Sequence, residues 1–226
     1  MVGNRSGSNS VTFSAVLFDL DGTLLDTLQD LGNAVNRVLE RNGMPPHDIN
    51  AYRTFVGDGV HMLVRRALPE SRRDPESVSR MVEEFRLEYR KHWKENSKPY
   101  PGVAELLDAL SARRIPMAVL SNKPHDFTSR CVEEFLGKWA FAAVLGEREG
   151  VPRKPDPAGA LEVARKLGIR PEAFVYLGDS SVDMETARAA GMVPVGALWG
   201  FRTGEELMRS GAHGLLERPE DLLRFF

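Results

Sequence analysis

The sequence predicts an α/β protein with a doubly wound parallel sheet, interrupted by a small all-helical insertion. Three observations carry this expectation. The apolar run Ala15-Val16-Leu17-Phe18 reads as a buried strand and ends in Asp19-Leu20-Asp21-Gly22-Thr23. From about residue 100 onward, helix-like and strand-like stretches alternate, the pattern of a parallel sheet covered by helices on both faces. Between about Thr27 and Lys98 the periodicity is helical and no convincing strand occurs.

Taken in order, the first ten residues are rich in Gly, Ser and Asn and predict a disordered tail over 1–10. The strand at Ala15–Phe18 follows. Asp19 and Asp21, two apart on extended chain, project to one side at a carboxyl strand end, where open α/β sheets bind ligands. Two like charges that close are costly unless a cation lies between them or one is protonated. The pair therefore implies a hard metal ion, an acid/base division of labour, or both. Gly22 lets the chain turn sharply. Leu28, Leu31, Val35, Val38 and Leu39, and later Met81, Val82, Phe85 and Tyr89, repeat at helical spacing and predict a helical cap domain over 27–98. Inside it, Gly57-Asp58-Gly59 permits close backbone approach ahead of an amphipathic helix, His61 to Leu68. Pro99-Tyr100-Pro101 marks the return, so that 11–26 and 99–226 make up the core domain. Cap movement would then hinge near Thr27 and Pro99.

Beyond the return come a helix over Gly102–Arg113 and a strand over Pro116–Leu120. That strand ends in Ser121-Asn122-Lys123, where a hydroxyl and backbone N–H groups can hold an anion. A helix over Pro124–Leu136 and a strand over Phe141–Leu145 lead to Arg153-Lys154-Pro155-Asp156-Pro157, a loop stiff enough to aim Lys154 inward as a point charge. A helix over Pro157–Leu167 and a strand over Ala173–Leu177 precede Gly178-Asp179-Ser180-Ser181-Val182-Asp183. This repeats the opening order of strand, glycine and carboxylate, with Asp183 in the first turn of a helix over Val182–Ala190. A short strand near Val193–Val195 comes last.

Composition narrows the function. With 226 residues and 42% hydrophobic content, the chain can bury one good core or a core plus a smaller domain. Thirty Lys+Arg against thirty-two Asp+Glu offer no general attraction to nucleic acid or to an anionic membrane, so an anionic substrate must be held locally. No apolar run approaches the roughly 20 residues that span a bilayer, and the polar first residues do not resemble a signal. The expectation is a cytoplasmic protein. The single cysteine, Cys131, lies in a helix-like stretch without a metal-ligand companion and reads as an idle thiol.

Four motifs in order, Asp19-Leu20-Asp21-Gly22-Thr23, Ser121, Lys154 and Gly178 to Asp183, resemble the haloacid dehalogenase superfamily of phosphotransferases over Ala15 to Phe226. The resemblance implies a Rossmann-like core with a helical cap. It also implies that Asp19 is a nucleophile forming an aspartyl phosphate and that Asp21 is first general acid, then base. Mg²⁺ would be held by Asp19, the Asp21 carbonyl and Asp179, with Asp183 contacting it directly or through water. Ser121, Asn122 and Lys154 would bind the transferring phosphoryl group, with Lys123 assisting. Asp21 also separates the chain from the dehalogenases themselves, which lack this carboxylate. Trp199-Gly200-Phe201 resembles the superfamily's aromatic-glycine loop.

The stretch Thr54 to Leu68 is similar to the cap loop and helix of bacterial phosphoglycolate phosphatases. That implies 2-phosphoglycolate as substrate, with Gly57, Asp58, Gly59, Arg65 and Arg66 setting specificity and an arginine meeting the carboxylate. Pyrophosphate or sugar-phosphate hydrolysis, or phosphoryl transfer by a mutase, would use the same core. The expected partner is one small phosphoester, and the chain would act as a monomer or homodimer.

Overall fold

The computed structural model describes residues 13–226, so the tail expected over 1–10 lies outside the described residues. In chain order, β1 (Ala15–Phe18) leads through a tight turn to β2 (Leu25–Asp26) and then to α1 (Leu28–Arg41), α2 (Tyr52–Phe55), α3 (Val60–Ala67) and α4 (Pro75–His92). The chain returns through β3 (Lys98–Pro99). It then alternates through α5 (Val103–Ala112), β4 (Met117–Pro124), α6 (His125–Leu136), β5 (Ala143–Glu147), α7 (Ala158–Leu167), β6 (Phe174–Gly178), α8 (Ser181–Ala190) and β7 (Val193–Ala197). A short helix α9 (Gly204–Arg209), β8 (Gly214–Leu216) and a 3₁₀ turn at Pro219–Phe225 complete it.

Six strands form one parallel sheet in the order β5-β4-β1-β6-β7-β8. The chain runs outward from β1 through β4 to β5, then crosses back to β6 and outward again. The crevice at the carboxyl ends of β4, β1 and β6 is therefore the topological switch point, where such sheets bind ligands. Phe18 is in register with Val119 and with Leu177, which brings Asp19, Ser121 and Asp179 to one edge.

Both faces of the sheet are dry. Val16 and Phe18 pack with Leu106, Leu107 and Leu110 of α5 and with Cys131, Val132 and Leu136 of α6. Ala15 and Leu17, pointing the other way, pack with Val163 and Ala164 of α7 and with Ala187 and Ala190 of α8. A fully buried aliphatic side chain contributes roughly 1.5–3 kcal/mol, which outweighs the weak preferences of these short strands. The C-terminal ends of α7 and α8 are set by Gly168 and Gly191 in the left-handed region.

The helices between β2 and β3 bury a separate core: Leu31, Val35 and Val38 of α1, Leu63 and Val64 of α3, and Met81, Val82, Phe85 and Tyr89 of α4. Helix α4 starts at Asp74, whose side chain accepts from the Ser77 N–H at 2.9 Å, with Pro75 in its first turn. Phe127 of α6 and Phe201 join this core from the sheet side.

Most elements lie within two residues of the sequence expectation. The corrections are the antiparallel ribbon of β2 and β3, the extension of β4 through Ser121–Pro124, and the edge strand β8. Two- and three-residue strands carry no measurable alternation, which is why periodicity passes over them.

The connection back to the sheet is tied down by one carboxylate. Asp30 of α1, 1% exposed, accepts from the Asn96 N–H, the Asn96 amide, the Ser97 N–H and the Ser97 hydroxyl at 2.7–3.0 Å. Replacing it leaves those donors facing a dry gap. Asp30→Ala is expected to cost about 3 kcal/mol, read as a lower denaturant midpoint at unchanged slope; a loss below about 1 kcal/mol would mean that the connection is held by packing alone.

Candidate active site

The turn after β1 decides the site's geometry. Gly22 has φ +90, and a Cβ there would lie 2.4 Å from an Asp179 carboxylate oxygen. Glycine is thus required twice over, for the left-handed backbone and for the approach to Asp179. Gly200 closes from the far side, where a Cβ would lie 2.2 Å from that of Asp179. Asp179 is held between them, accepting from the Thr23 hydroxyl at 2.9 Å and the Phe201 N–H at 2.8 Å. The Trp199 indole N–H donates to the Thr23 carbonyl at 2.9 Å. The aromatic-glycine loop noted in the sequence therefore clamps a carboxylate.

Asp19, Asp179 and Asp183 are all buried and can offer oxygens within 4.8 Å of one another. A buried ammonium stands against two of them. The Lys154 ammonium lies 2.9 Å from Asp19 and 2.7 Å from Asp183, and it donates to the Leu120 carbonyl at 3.2 Å. Burial pushes the Asp19 carboxyl well above its ordinary value, helped by Asp183 and Asp179 and opposed by Lys154. Burial and the Asp183 charge likewise push Asp179 up to about 7, against the Phe201 and Thr23 hydrogen bonds. For Lys154 burial works the other way, but Asp183 and Asp19 outweigh it and hold the ammonium well above its ordinary value. Asp183 itself is occupied by the protein: one oxygen accepts from the Ser180 N–H and hydroxyl, closing a capping box on α8, and the other accepts from Lys154.

The Lys154 loop is oriented by Asn122. Its amide donates to the Lys154 carbonyl at 3.0 Å and to the Gly57 carbonyl at 3.1 Å, and its oxygen accepts the Lys154 N–H at 3.0 Å. The Asn122 side chain is thereby committed to the loop and the helical layer, so an anion contact from Asn122 falls to its main-chain N–H. Register between β4 and β5 breaks from Leu120 to Pro124, which releases the Ser121–Lys123 backbone from the ladder. The Ser121 hydroxyl faces the same crevice and accepts from the Lys123 N–H at 3.2 Å.

Asp21 looks into the crevice from the other side. Its carboxylate accepts from the Thr27 hydroxyl at 2.7 Å and from the buried Lys123 ammonium at 2.9 Å. Lys123 in turn donates to the Tyr89 hydroxyl of α4 at 2.9 Å and sits over the Tyr89 ring. Burial opposes its charge, but Asp21 and Tyr89 more than offset this and keep the ammonium well above its ordinary value. Tyr89 is stacked on Phe85 and packed on Phe127.

Between sheet edge and helices lies a cleft of about 620 Å³, counting its open mouth. Asp19, Asp21, Ser121, Asn122 and Lys123 form its floor; Gly57, Gly59 and several apolar side chains, with Arg86, form its roof. The roof loop is fastened by its backbone: Arg202 donates to the Val56 carbonyl at 2.7 Å, Asn122 to Gly57 at 3.1 Å and Arg153 to Asp58 at 3.2 Å.

Of the cap positions expected from sequence, Gly57 and Gly59 border the cleft, whereas Asp58, Arg65 and Arg66 do not. Arg66 is turned along its own loop, pairing with Asp58 at 2.5 Å and donating to the Phe55 carbonyl at 3.1 Å, and Arg65 is exposed. The arginine that does border the cleft, Arg86, was not singled out from sequence. Its only signal is its place beside Phe85 and Tyr89 on the apolar stripe of α4.

Comparison with known proteins places the fold in a family. The family model described as haloacid dehalogenase-like hydrolase matches residues 16–197. A phosphoglycolate phosphatase of Xylella fastidiosa is 36% identical over 98% of this chain and 96% of its own length. One from Chromobacterium violaceum is 34% identical over 85% of this chain and 88% of its own. A crystal structure from Lactobacillus delbrueckii subsp. bulgaricus, 32% identical, superposes with a TM-score of 0.87 over 93% of this chain and 97% of that one.

The charge balance around Lys154 can be tested without turnover. Lys154→Met strands buried carboxylates and is expected to cost about 3–5 kcal/mol in chelator-treated protein near pH 8. The cost should be smaller near pH 5, where protonation relieves it; equal losses at both values, measured by equilibrium unfolding, would contradict this account of the site.

Proposed function

Since this chain belongs to the haloacid dehalogenase-like hydrolases, we propose that it hydrolyses a small phosphomonoester, 2-phosphoglycolate, through an aspartyl phosphate on Asp19 with Mg²⁺ bound beside it. The observation that carries this reading is Lys154 bridging Asp183 and Asp19, next to Asp179, with Asp19 opening onto the floor of a cleft roofed by the helical layer. The names of the relatives support the substrate.

The donor set fits a hard divalent cation. It offers only oxygens, and three carboxylates face one ammonium in a buried pocket. The Asp19 and Asp179 carboxylates and the Asp21 carbonyl would hold Mg²⁺, with Asp183, whose oxygens are taken, acting through water. The ion would supply the positive charge that keeps Asp19 ionised despite burial.

The residues then divide the work. One Asp19 oxygen is held by the Leu20 N–H at 2.7 Å and by Lys154, which leaves the other to attack phosphorus. As that bond forms, the bond from phosphorus to the leaving oxygen breaks, and the Asp21 carboxyl gives its proton to that oxygen. Thr27 and Lys123 fix Asp21 in place for this transfer. Ser121 and Lys154 meet the charge on the equatorial phosphoryl oxygens. In the second half-reaction Asp21 takes a proton from water, which attacks phosphorus and frees Asp19 with release of inorganic phosphate.

The deciding experiment is phosphate release, with Mg²⁺, from 2-phosphoglycolate, pyrophosphate, sugar phosphates and p-nitrophenyl phosphate. The first should be preferred, and Asp19→Asn should lower kcat by at least about 1000-fold; activity confined to another phosphoester would overturn the substrate, and an active variant the mechanism.

Metal binding supplies an independent readout. An unfolded Asp179 titrates near 3.8 and the folded, metal-free one at about 7, so its proton favours folding below the first value. That contribution falls away as pH rises from about 4 through about 7. Mg²⁺ must displace the proton, so its affinity should rise over the same window and level off above it. The thermal shift produced by Mg²⁺ at pH 5 and pH 8 checks this; a larger shift at pH 5 would contradict it.

A further inference from the structure

The two lysines of the crevice are already committed, Lys154 to Asp19 and Asp183, and Lys123 to Asp21 and Tyr89. A leaving group that bears its own negative charge would meet Asp19 and Asp21 without compensation from either. Among the described residues, the remaining cation that borders the cleft is Arg86. It lies three residues before Tyr89, about 4.5 Å of axial rise along α4, and so within one turn of the residue that reaches the lysine beside Asp21. Its own pairing is slight. One nitrogen donates to Glu83 at 2.9 Å, an i,i+3 neighbour whose side chain is 67% exposed, and such surface pairs yield readily to a better partner.

The surroundings suit a carboxylate. Leu31, Val60, Leu63 and Phe85 wall the same cleft, and apolar walls strengthen a charged pair by excluding water. A guanidinium offers two parallel donors to the two oxygens of a carboxylate, a match that an alcohol or a sugar ring lacks.

We propose that Arg86 is the specificity-determining residue of this cleft, pairing with the carboxylate of the leaving group and so selecting carboxylated phosphoesters over neutral ones of the same size. The inference rests on the substrate reading above. It moves the arginine contact from α3, where the sequence suggested Arg65 or Arg66, to α4.

The test compares 2-phosphoglycolate with 2-hydroxyethyl phosphate, which keeps the skeleton and replaces the carboxylate by an alcohol. Arg86→Met should lower kcat/KM for 2-phosphoglycolate on the order of 100-fold, mostly through KM, and change the neutral ester less than about threefold. Arg86→Lys should recover part of the loss, since it restores the charge without the fork. Arg65→Met, on an exposed position, should leave the ratio unchanged. A wild-type preference for the carboxylated ester that survives in Arg86→Met overturns the role of Arg86 alone, as does an equal loss on both esters. Absence of any wild-type preference overturns the substrate reading, and the role of Arg86 with it.

Discussion

The site is organised by the repulsion among buried carboxylates at the carboxyl edge of the sheet. Asp19, Asp179 and Asp183 are brought together by the strands that carry them, and in a dry environment their mutual repulsion is severe. Much of the surrounding structure answers that constraint. The Pro-rich loop delivers Lys154, the capping box on α8 absorbs one side of Asp183, and the Trp199–Phe201 loop supplies a backbone N–H to Asp179. The same crowding that burdens folding suits a divalent cation among the carboxylates, and the positive charge of such an ion would in turn draw in a phosphoryl group that the carboxylates alone would repel.

A second consequence follows from where Asp21 finds its partners. Thr27 stands at the exit toward the helices and Tyr89 is on α4, reached through Lys123. The Asp21 carboxylate is therefore held partly by the helical layer, while Asp19 is held by its own turn and by Lys154, on the sheet side. In the proposed mechanism, proton transfer and phosphoryl attack would thus draw on different parts of the chain, brought into line by the way the two layers face each other.

Much of this was legible in the residues. β1 was readable to its ends because all four of its residues are buried and apolar, and Asp19 and Asp21 stood out as carboxylates where such a strand stops. Lys154 was readable from its prolines. Arg86 was not, since a helical stripe marks the apolar residues that pack and says nothing of which polar flank overhangs a cleft in another layer. Arg66 misled for the complementary reason: beside a glycine loop it looked free, yet Asp58 and the loop carbonyls engage it. The role of Asn122 as an orienter of Lys154 depends on a loop thirty-two positions away, which no local pattern encodes.

The roof loop is gripped through the carbonyl oxygens of Val56, Gly57 and Asp58, by donors on Arg202, Asn122 and Arg153. A carbonyl is common to every amino acid, so the three grips read no side chain, but the loop must stay slim to receive them: Gly59 has φ +81, and a Cβ there would lie 2.6 Å from the Arg153 guanidinium. The anchoring therefore sits on the loop, while the roof side chains supplied by α3 and α4, Val60, Leu63, Phe85 and Arg86, take no part in those three hydrogen bonds. Substitutions on those two helices would thus reshape the space above Asp19 and Asp21 without loosening the enclosure or altering its floor.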